Sequence, residues 1–458
     1  MEEDQKSFKM EIHPEAARKL NDQAEALLRE MTTRPISVHP APAFAPDIPV
    51  KAIFLKEDII GAIETSTVSA GGSRMARFIE EKGKAVGFEG DYYKNFARLC
   101  ETIQKGNPFR HYVSLNTLEN LVFRWSWERY SGATNLSMTD HVIPKCEAAI
   151  QEYEVWIPIS HLYIQTDMQM GRVTLKTFST AMFQGLRDSY QSLNIPQKSK
   201  TNFNCMIGDM QGRLNGLAAA TMFVTAEPSR AYEVALEETE KAVAILRIFS
   251  RAAAVPEVSS YCAPYGQKTP KSVLYYLFHE GKVAASHDGG VDTDDTMWTV
   301  SANHVQLWAE SGMGNFIRLF FEPRPSPFER NVVNSLMVYS RSMLAGTLSE
   351  KLVFVFSSLE SLLLRDQNEN IQQNVAERIA FVVGKDVKER REIIKNYKDT
   401  YSLRSSFVHH GRSVEETENL VTFFRNVFQF FFRLVLVQVT KYKTRDEFLR
   451  ALEDMKLT

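Results

Sequence analysis

Residues 386–411 read DVKERREIIKNYKDTYSLRSSFVHHG, and the architecture of the C-terminal part of the chain turns on them. Apolar residues recur through the stretch at helical spacing. Gly411 stands where a helix C-terminus favours a residue with positive φ. The pattern therefore predicts a helix that ends at His409 and His410. Arg404 and His409 are five residues apart, so on an unbroken helix they point about 140° away from each other. They share a face only if the helix unwinds near Gly411. Otherwise they can act together only across two chains, as in a two-fold dimer.

The residue types in this stretch carry specific chemistry. Arginine grips a phosphate with two parallel hydrogen bonds and stays charged at cellular pH. Histidine moves protons near neutrality. Such a pair suffices for RNA cleavage without metal, because an imidazole helps deprotonate a ribose 2′-hydroxyl and a guanidinium stabilises the charge that builds on phosphorus. DNA lacks that hydroxyl. Ser405 can add a hydrogen bond. From Lys385 to Arg412 the chain carries eight Lys or Arg against four Asp or Glu, a local excess that includes Lys395, Lys398 and Arg412. Tyr397 and Tyr401 lie one turn apart, placed either to stack a base or to pack a bundle. A plainer reading stands beside these, since a helix C-terminus favours cationic side chains without any catalysis.

Outward from this stretch, the segments NVVNSLMVYSRSMLAGT, SEKLVFVFSSLESLLLR, IQQNVAERIAFVVG and SVEETENLVTFFRNVFQFFFRLVLVQVTKY also show helical spacing. Ser413 and Glu416 form a capping-box pattern ahead of the last of them. LVTFFRNVFQFFFRLVLVQV is long and apolar, but Arg425 and Arg433 interrupt it, so it reads as a core helix, and no membrane span is expected. Its six phenylalanines (Phe423, Phe424, Phe428, Phe430, Phe431 and Phe432) serve either an interface or a core.

Four regions follow. Residues 1–49 form a helix and a Pro-rich arm, and residues 50–150 are mostly helical with Gly breaks. Residues 151–325 mix strands (VWIPISHLYIQ, GRVTLKTFSTAMF, KSVLYYLFHEGKVAAS, NFIRLFFEP) with the helix SRAYEVALEETEKAVAILRIFSRAA. The break PRPSPFER leads into an all-helical segment, 326–458. The expected fold is α+β and multidomain, with a mixed α/β N-terminal and middle region followed by an all-α helical bundle.

Composition narrows the classes. Over 458 residues, 44% are hydrophobic and 24% charged, the profile of a globular protein with a sizeable core. The net charge of −2 leaves any nucleic-acid site to a local patch. Four scattered cysteines fit neither a zinc ribbon nor a disulfide framework. The acidic N-terminus lacks the form of a signal peptide, which suggests a cytoplasmic protein. HDGGVDTDD, from His287, loosely approaches a calcium loop but lacks its register, so no metal is expected. Phosphate-loop, dinucleotide and nucleophile-elbow patterns are absent, and no cofactor is expected.

Tyr401, Arg404, Ser405, Val408, His409 and Gly411, taken with FSSLESLLLRD and AERIAFVVG, resemble the signature of the HEPN superfamily (higher eukaryote and prokaryote nucleotide-binding helical bundle), in its Apea-type branch. The resemblance covers roughly residues 330–445. It implies a metal-independent endoribonuclease with Arg404 and His409 as catalytic residues, His410 being the alternative histidine and Glu360 either a salt-bridge partner of Arg404 or a solvated charge. It further implies an RNA substrate, a homodimer or higher homo-oligomer, and a role as a toxin or in abortive infection against phage. The residues before 326 would then suit a sensor answering a phage-derived trigger or a regulatory protein. The competing expectation is a non-catalytic nucleic-acid or nucleotide-binding and dimerisation module.

Overall fold

The computed structural model describes residues 8–35, 63–68, 74–81, 84–268, 272–279, 282–290, 297–365, 369–415 and 418–456. The chain divides into two compact units: Met1–Val155 with Phe223–Val234, and Trp156–Met222 with Ala235–Thr458. Most of the expected Pro-rich arm and the expected Gly break at residues 69–73 (SAGGS) lie outside the described residues, as does part of the HDGGVDTDD loop.

In the first unit, α1 (Pro14–Leu28) begins at a proline whose missing N–H costs nothing in a first turn. Four strands follow: β1 (Thr32–Pro35), β2 (Ile63–Val68), β3 (Arg74–Glu81) and β4 (Lys84–Glu89). They form an antiparallel sheet in the order β1-β4-β3-β2. Within residues 50–150 the helical reading fails over β2, β3 and β4. IETSTV is rich in β-branched residues, and KAVGFE alternates covered and exposed positions in part. Gly87 lets β3 and β4 approach closely, since a Cβ there would fall 2.0 Å from the Arg77 carbonyl oxygen. Helices α2 (Gly90–Lys105), α3 (Phe109–Tyr112), α4 (Leu115–Tyr130) and α5 (Met138–Ala149) complete the unit. Ser114 and Ser137 cap α4 and α5 through bonds from the Thr117 and Asp140 N–H groups. Phe88, Phe96, Leu118, Phe123 and Trp125 fill the core, each contributing about 1.5–3 kcal/mol by burial.

The second unit contains the candidate site. After α5 the chain forms β5 (Gln151–Ser160), β6 (Leu162–Ile164), β7 (Met168–Met170), β8 (Val173–Thr177), α6 (Thr180–Ser192), α7 (Gln197–Leu214), β9 (Ala218–Ala226), α8 (Pro228–Ile248), β10 (Ala263–Pro264), β11 (Ser272–His279), β12 (Lys282–Gly290) and β13 (Trp298–Val300), of which β5, β9 and α8 belong in part to the first unit. Five strands make one sheet in the order β10-β5-β9-β8-β7, while β11 pairs with β12 and β13 runs parallel to β6. The chain is thus α+β. Two helices follow, α9 (Ala302–Glu310) and α10 (Met313–Phe320). α10 contains NFIRLF, part of the run NFIRLFFEP that the sequence suggested as a strand. A dense apolar-aromatic run satisfies either period, and here Met313, Phe316, Leu319 and Phe320 are buried at helical spacing.

The remaining helices form the C-terminal bundle: α11 (Pro327–Ser342), α12 (Leu348–Leu363), α13 (Ile371–Val383), α14 (Val387–His410), α15 (Glu418–Arg433) and α16 (Arg445–Asp454). Ser326 and Glu329 close a capping box on α11. Asp386 Oδ1 accepts the Glu389 N–H at 2.8 Å and caps α14. α15 continues as a π-helical turn, Leu434–Gln438. Among the described residues, Glu418–Gln438 is the one helix long and apolar enough to cross a membrane, with mean hydropathy 1.6. Its apolar side is the bundle core: Phe423, Phe424, Phe430 and Phe431 are buried, and Phe432 packs on Phe249 and Phe316. Arg433 Nη1 donates to the Val382 and Val383 carbonyls at 3.1 and 2.6 Å, closing the end of α13.

Candidate active site

α14 runs unbroken from Val387 to His410 and stops at Gly411, where φ is +66°. The Gly411 N–H donates to the Phe407 carbonyl at 2.8 Å, so the last turn is fully wound. The unwinding that would let Arg404 and His409 meet within one chain does not occur. The two side chains keep the separation of about 140° that five helical residues impose.

Arg404 lies against α12. Its Nη2 is 3.9 Å from Glu360 Oε2, with side-chain exposures of 20% and 19%. Glu360 is therefore the ion-pair partner of Arg404 rather than a solvated charge. The Arg404 guanidinium also lies 5.6 Å from the Tyr401 ring centroid. Tyr397 is buried, with its ring close to Tyr401 and edge-on to Phe356. Of its two possible roles it takes bundle packing, while Tyr401 is half-buried.

Electrostatics mark this corner of the bundle. Glu360 Oε1, Arg404 Nε and Tyr397 Oη are all shut off from solvent with no hydrogen-bond partner. Burial raises the Glu360 carboxyl above its usual range, and Arg404 pulls it back only in part. Burial also pushes the Tyr397 hydroxyl well up, helped by Glu360 and Tyr401 and opposed by Arg404. Buried polar groups are normally paired, so three unpaired polar atoms set this corner apart from an ordinary bundle core. The sequence signalled Glu360, Tyr401 and Arg404 but not the involvement of the Tyr397 hydroxyl, whose burial depends on tertiary packing.

His409 and His410 are exposed at the helix end, with ring centroids 6.5 Å apart. His409 continues a ridge along α14 made by Arg391, Lys395, Lys398, Ser402 and Ser405, at alternating spacings of four and three residues. Lys395 is exposed, and Lys398 and Ser405 are half-covered. Arg412 is exposed just beyond the helix. The structure thus separates a cationic ridge bearing His409 from a half-buried cluster bearing Arg404. Among the described residues no three His, Cys, Asp or Glu side chains gather as a metal centre requires.

Compared with known protein families, curated proteins and solved structures, the chain matches none.

Proposed function

We propose that the chain is an endoribonuclease whose site is shared between two copies, with Arg404 of one chain facing the partner's His409. The observation that carries this reading is the Arg404–Glu360–Tyr397 cluster, which holds a partly buried guanidinium with unsatisfied polar atoms beside it. Glu360 fixes the guanidinium from one side and leaves it able to receive a phosphate. The cationic ridge on α14 supplies attraction for an RNA backbone and leads to His409.

The reaction needs no group beyond these. His409 takes the proton of a ribose 2′-hydroxyl, and the freed oxygen attacks the adjacent phosphorus. The bond from phosphorus to the 5′-oxygen breaks, and that oxygen leaves with the proton that His409 took from the 2′-hydroxyl. A 2′,3′-cyclic phosphate and a 5′-hydroxyl result. Arg404 stabilises the charge on the five-coordinate phosphorus. By its resemblance to HEPN nucleases, such an activity would serve antiphage abortive infection or act as a toxin.

A second reading has its own support. Because Arg404 and His409 diverge within one chain, Arg404 alone can hold a phosphate in a non-catalytic nucleic-acid or nucleotide-binding and dimerisation module. Cleavage of total and transfer RNA in EDTA by the wild type, Arg404→Ala and His409→Ala separates the two. The nuclease reading expects cyclic-phosphate ends from the wild type and none from either variant. Binding without cleavage by all three favours the module.

A further inference from the structure

Apart from the bundle, the second unit holds a cavity of about 290 Å³ walled by Ser160, His161, Leu217, Tyr265, Lys268 and Met297. Ligand pockets commonly start at about 300 Å³, so it matches a ligand of mononucleotide size. Its position follows from a bend in the chain. β5 ends at Ser160 and β6 begins at Leu162, so His161 alone turns the backbone from the five-stranded sheet to the β6–β13 pair. The turn is fixed by the Trp298 N–H, which donates to the His161 carbonyl at 2.8 Å. On the other side, the Tyr265 N–H donates to the Pro158 carbonyl at 2.8 Å, and Gly266, with φ of +87°, closes the loop that carries Lys268.

His161 has φ of +57° and is the one non-glycine residue with positive φ among those described. Glycine is the ordinary solution for such a bend. A histidine there keeps backbone strain in exchange for its ring, and strain of this kind gathers at functional sites. The ring lies 5.5 Å from that of Tyr261, and Lys268 Nζ sits 5.9 Å from the same Tyr261 ring. His161, Lys268 and Ser160 therefore make the polar side of the cavity. Leu217, Tyr265 and Met297 give it an apolar side, with Tyr265 and Met297 about half exposed. His161 Nδ1 is buried and has no hydrogen-bond partner. Burial lowers the imidazole's pKa, partly offset by a hydrogen bond at the Tyr261 backbone.

We propose that this cavity binds a nucleoside monophosphate, with the base against Tyr265, Leu217 and Met297 and the phosphate held by Lys268, His161 and Ser160. The proposal does not depend on the RNA-cleavage reading, because none of these residues belongs to the Arg404 cluster.

The test is calorimetric titration of the full chain with adenosine, guanosine, cytidine and uridine monophosphates, the matching nucleosides and inorganic phosphate. At least one monophosphate should bind at least tenfold tighter than its nucleoside and than phosphate alone. Lys268→Ala should weaken it tenfold or more. His161→Gly should do the same while melting at or above the wild-type temperature, because glycine relieves the bend. Overturning results are no binding of any monophosphate at millimolar concentration, equal binding by phosphate or nucleoside, or unchanged affinity in both variants. A His161→Gly chain that melts well below the wild type yet still binds would make the ring a packing element and also overturn the proposal.

Discussion

Arg404 Nη2 and Glu360 Oε2 stand 3.9 Å apart, each on a side chain about one-fifth exposed, and the pair ties α14 to α12. Removing one partner leaves the other charge half-buried and uncompensated, at a cost of about 1–3 kcal/mol. Removing both leaves less to compensate. In urea unfolding, Arg404→Ala and Glu360→Gln should therefore combine to less than the sum of their single effects, with a coupling of about 1 kcal/mol. Additivity within about 0.3 kcal/mol would mean the contact is not an energetic pair.

Lys351 gives a pH signature. It is buried, and its Nζ donates to the carbonyls of Pro256 and Val258, both at 2.6 Å. Burial brings its ammonium down to about 8, against a weaker opposing pull from Glu257. An unfolded lysine titrates near 10.4. Between about pH 8 and 10 the unfolded chain therefore holds more protons than the folded one, and stability rises with pH. The rise disappears below pH 8, where both states are charged. Lys351→Met should abolish it and cost about 1–3 kcal/mol by leaving two carbonyls unpaired. Melting temperatures across pH 7.5–10 check this, and an equal slope in both proteins would contradict it.

How far the sequence led can be judged from these residues. The helices around α14 and its stop at Gly411 could be read from apolar spacing and one glycine, whereas Glu360 stood open between a partner of Arg404 and a solvated charge until the packing of α12 on α14 decided it. β2, β3 and β4 could not, because each is short and finds its partners through non-local pairing. α10 misled because Phe316, Ile317, Leu319, Phe320 and Phe321 suit a strand as well as a helix. The strained His161 left no trace in the sequence, since backbone conformation at a bend is set by the sheets on either side.

Arg378 predicts acid sensitivity. It is buried in α13, with Nη1 2.6 Å from Glu369 Oε2 and Nη2 3.0 Å from Glu453 Oε1, and it also donates to the Leu363 carbonyl. The Arg378 hydrogen bond is the main reason the Glu369 carboxyl stays below its usual value of 4.5. That stabilisation is full above the unfolded value and is lost as pH falls through the folded one. Arg378→Ala should cost about 3 kcal/mol by leaving Glu369 without its cation and the Leu363 carbonyl unpaired, Glu453 keeping Arg365, and should flatten the acid limb of the stability curve. Unfolding at pH 7 and pH 3.5 measures both effects.

Gly411 should hold the end of α14 in place. Nothing lies within 4 Å of a Cβ built there, so Gly411→Ala adds no clash and tests backbone strain alone. The expected cost is about 1 kcal/mol, with faster hydrogen exchange confined to the last turn around His409 and His410. Unchanged exchange in that turn would show that the left-handed residue does not anchor it.

If Arg404 and His409 meet across two chains, mixing two inactive variants should restore activity. Arg404→Ala and His409→Ala, each silent alone on RNA in EDTA, are unfolded together, refolded and assayed. Half the dimers would then be mixed, each with one intact site of two, so activity should return to about a quarter of the wild-type level. A mixture as silent as its components, beside an active wild type, would contradict a shared site and with it the account given for α14.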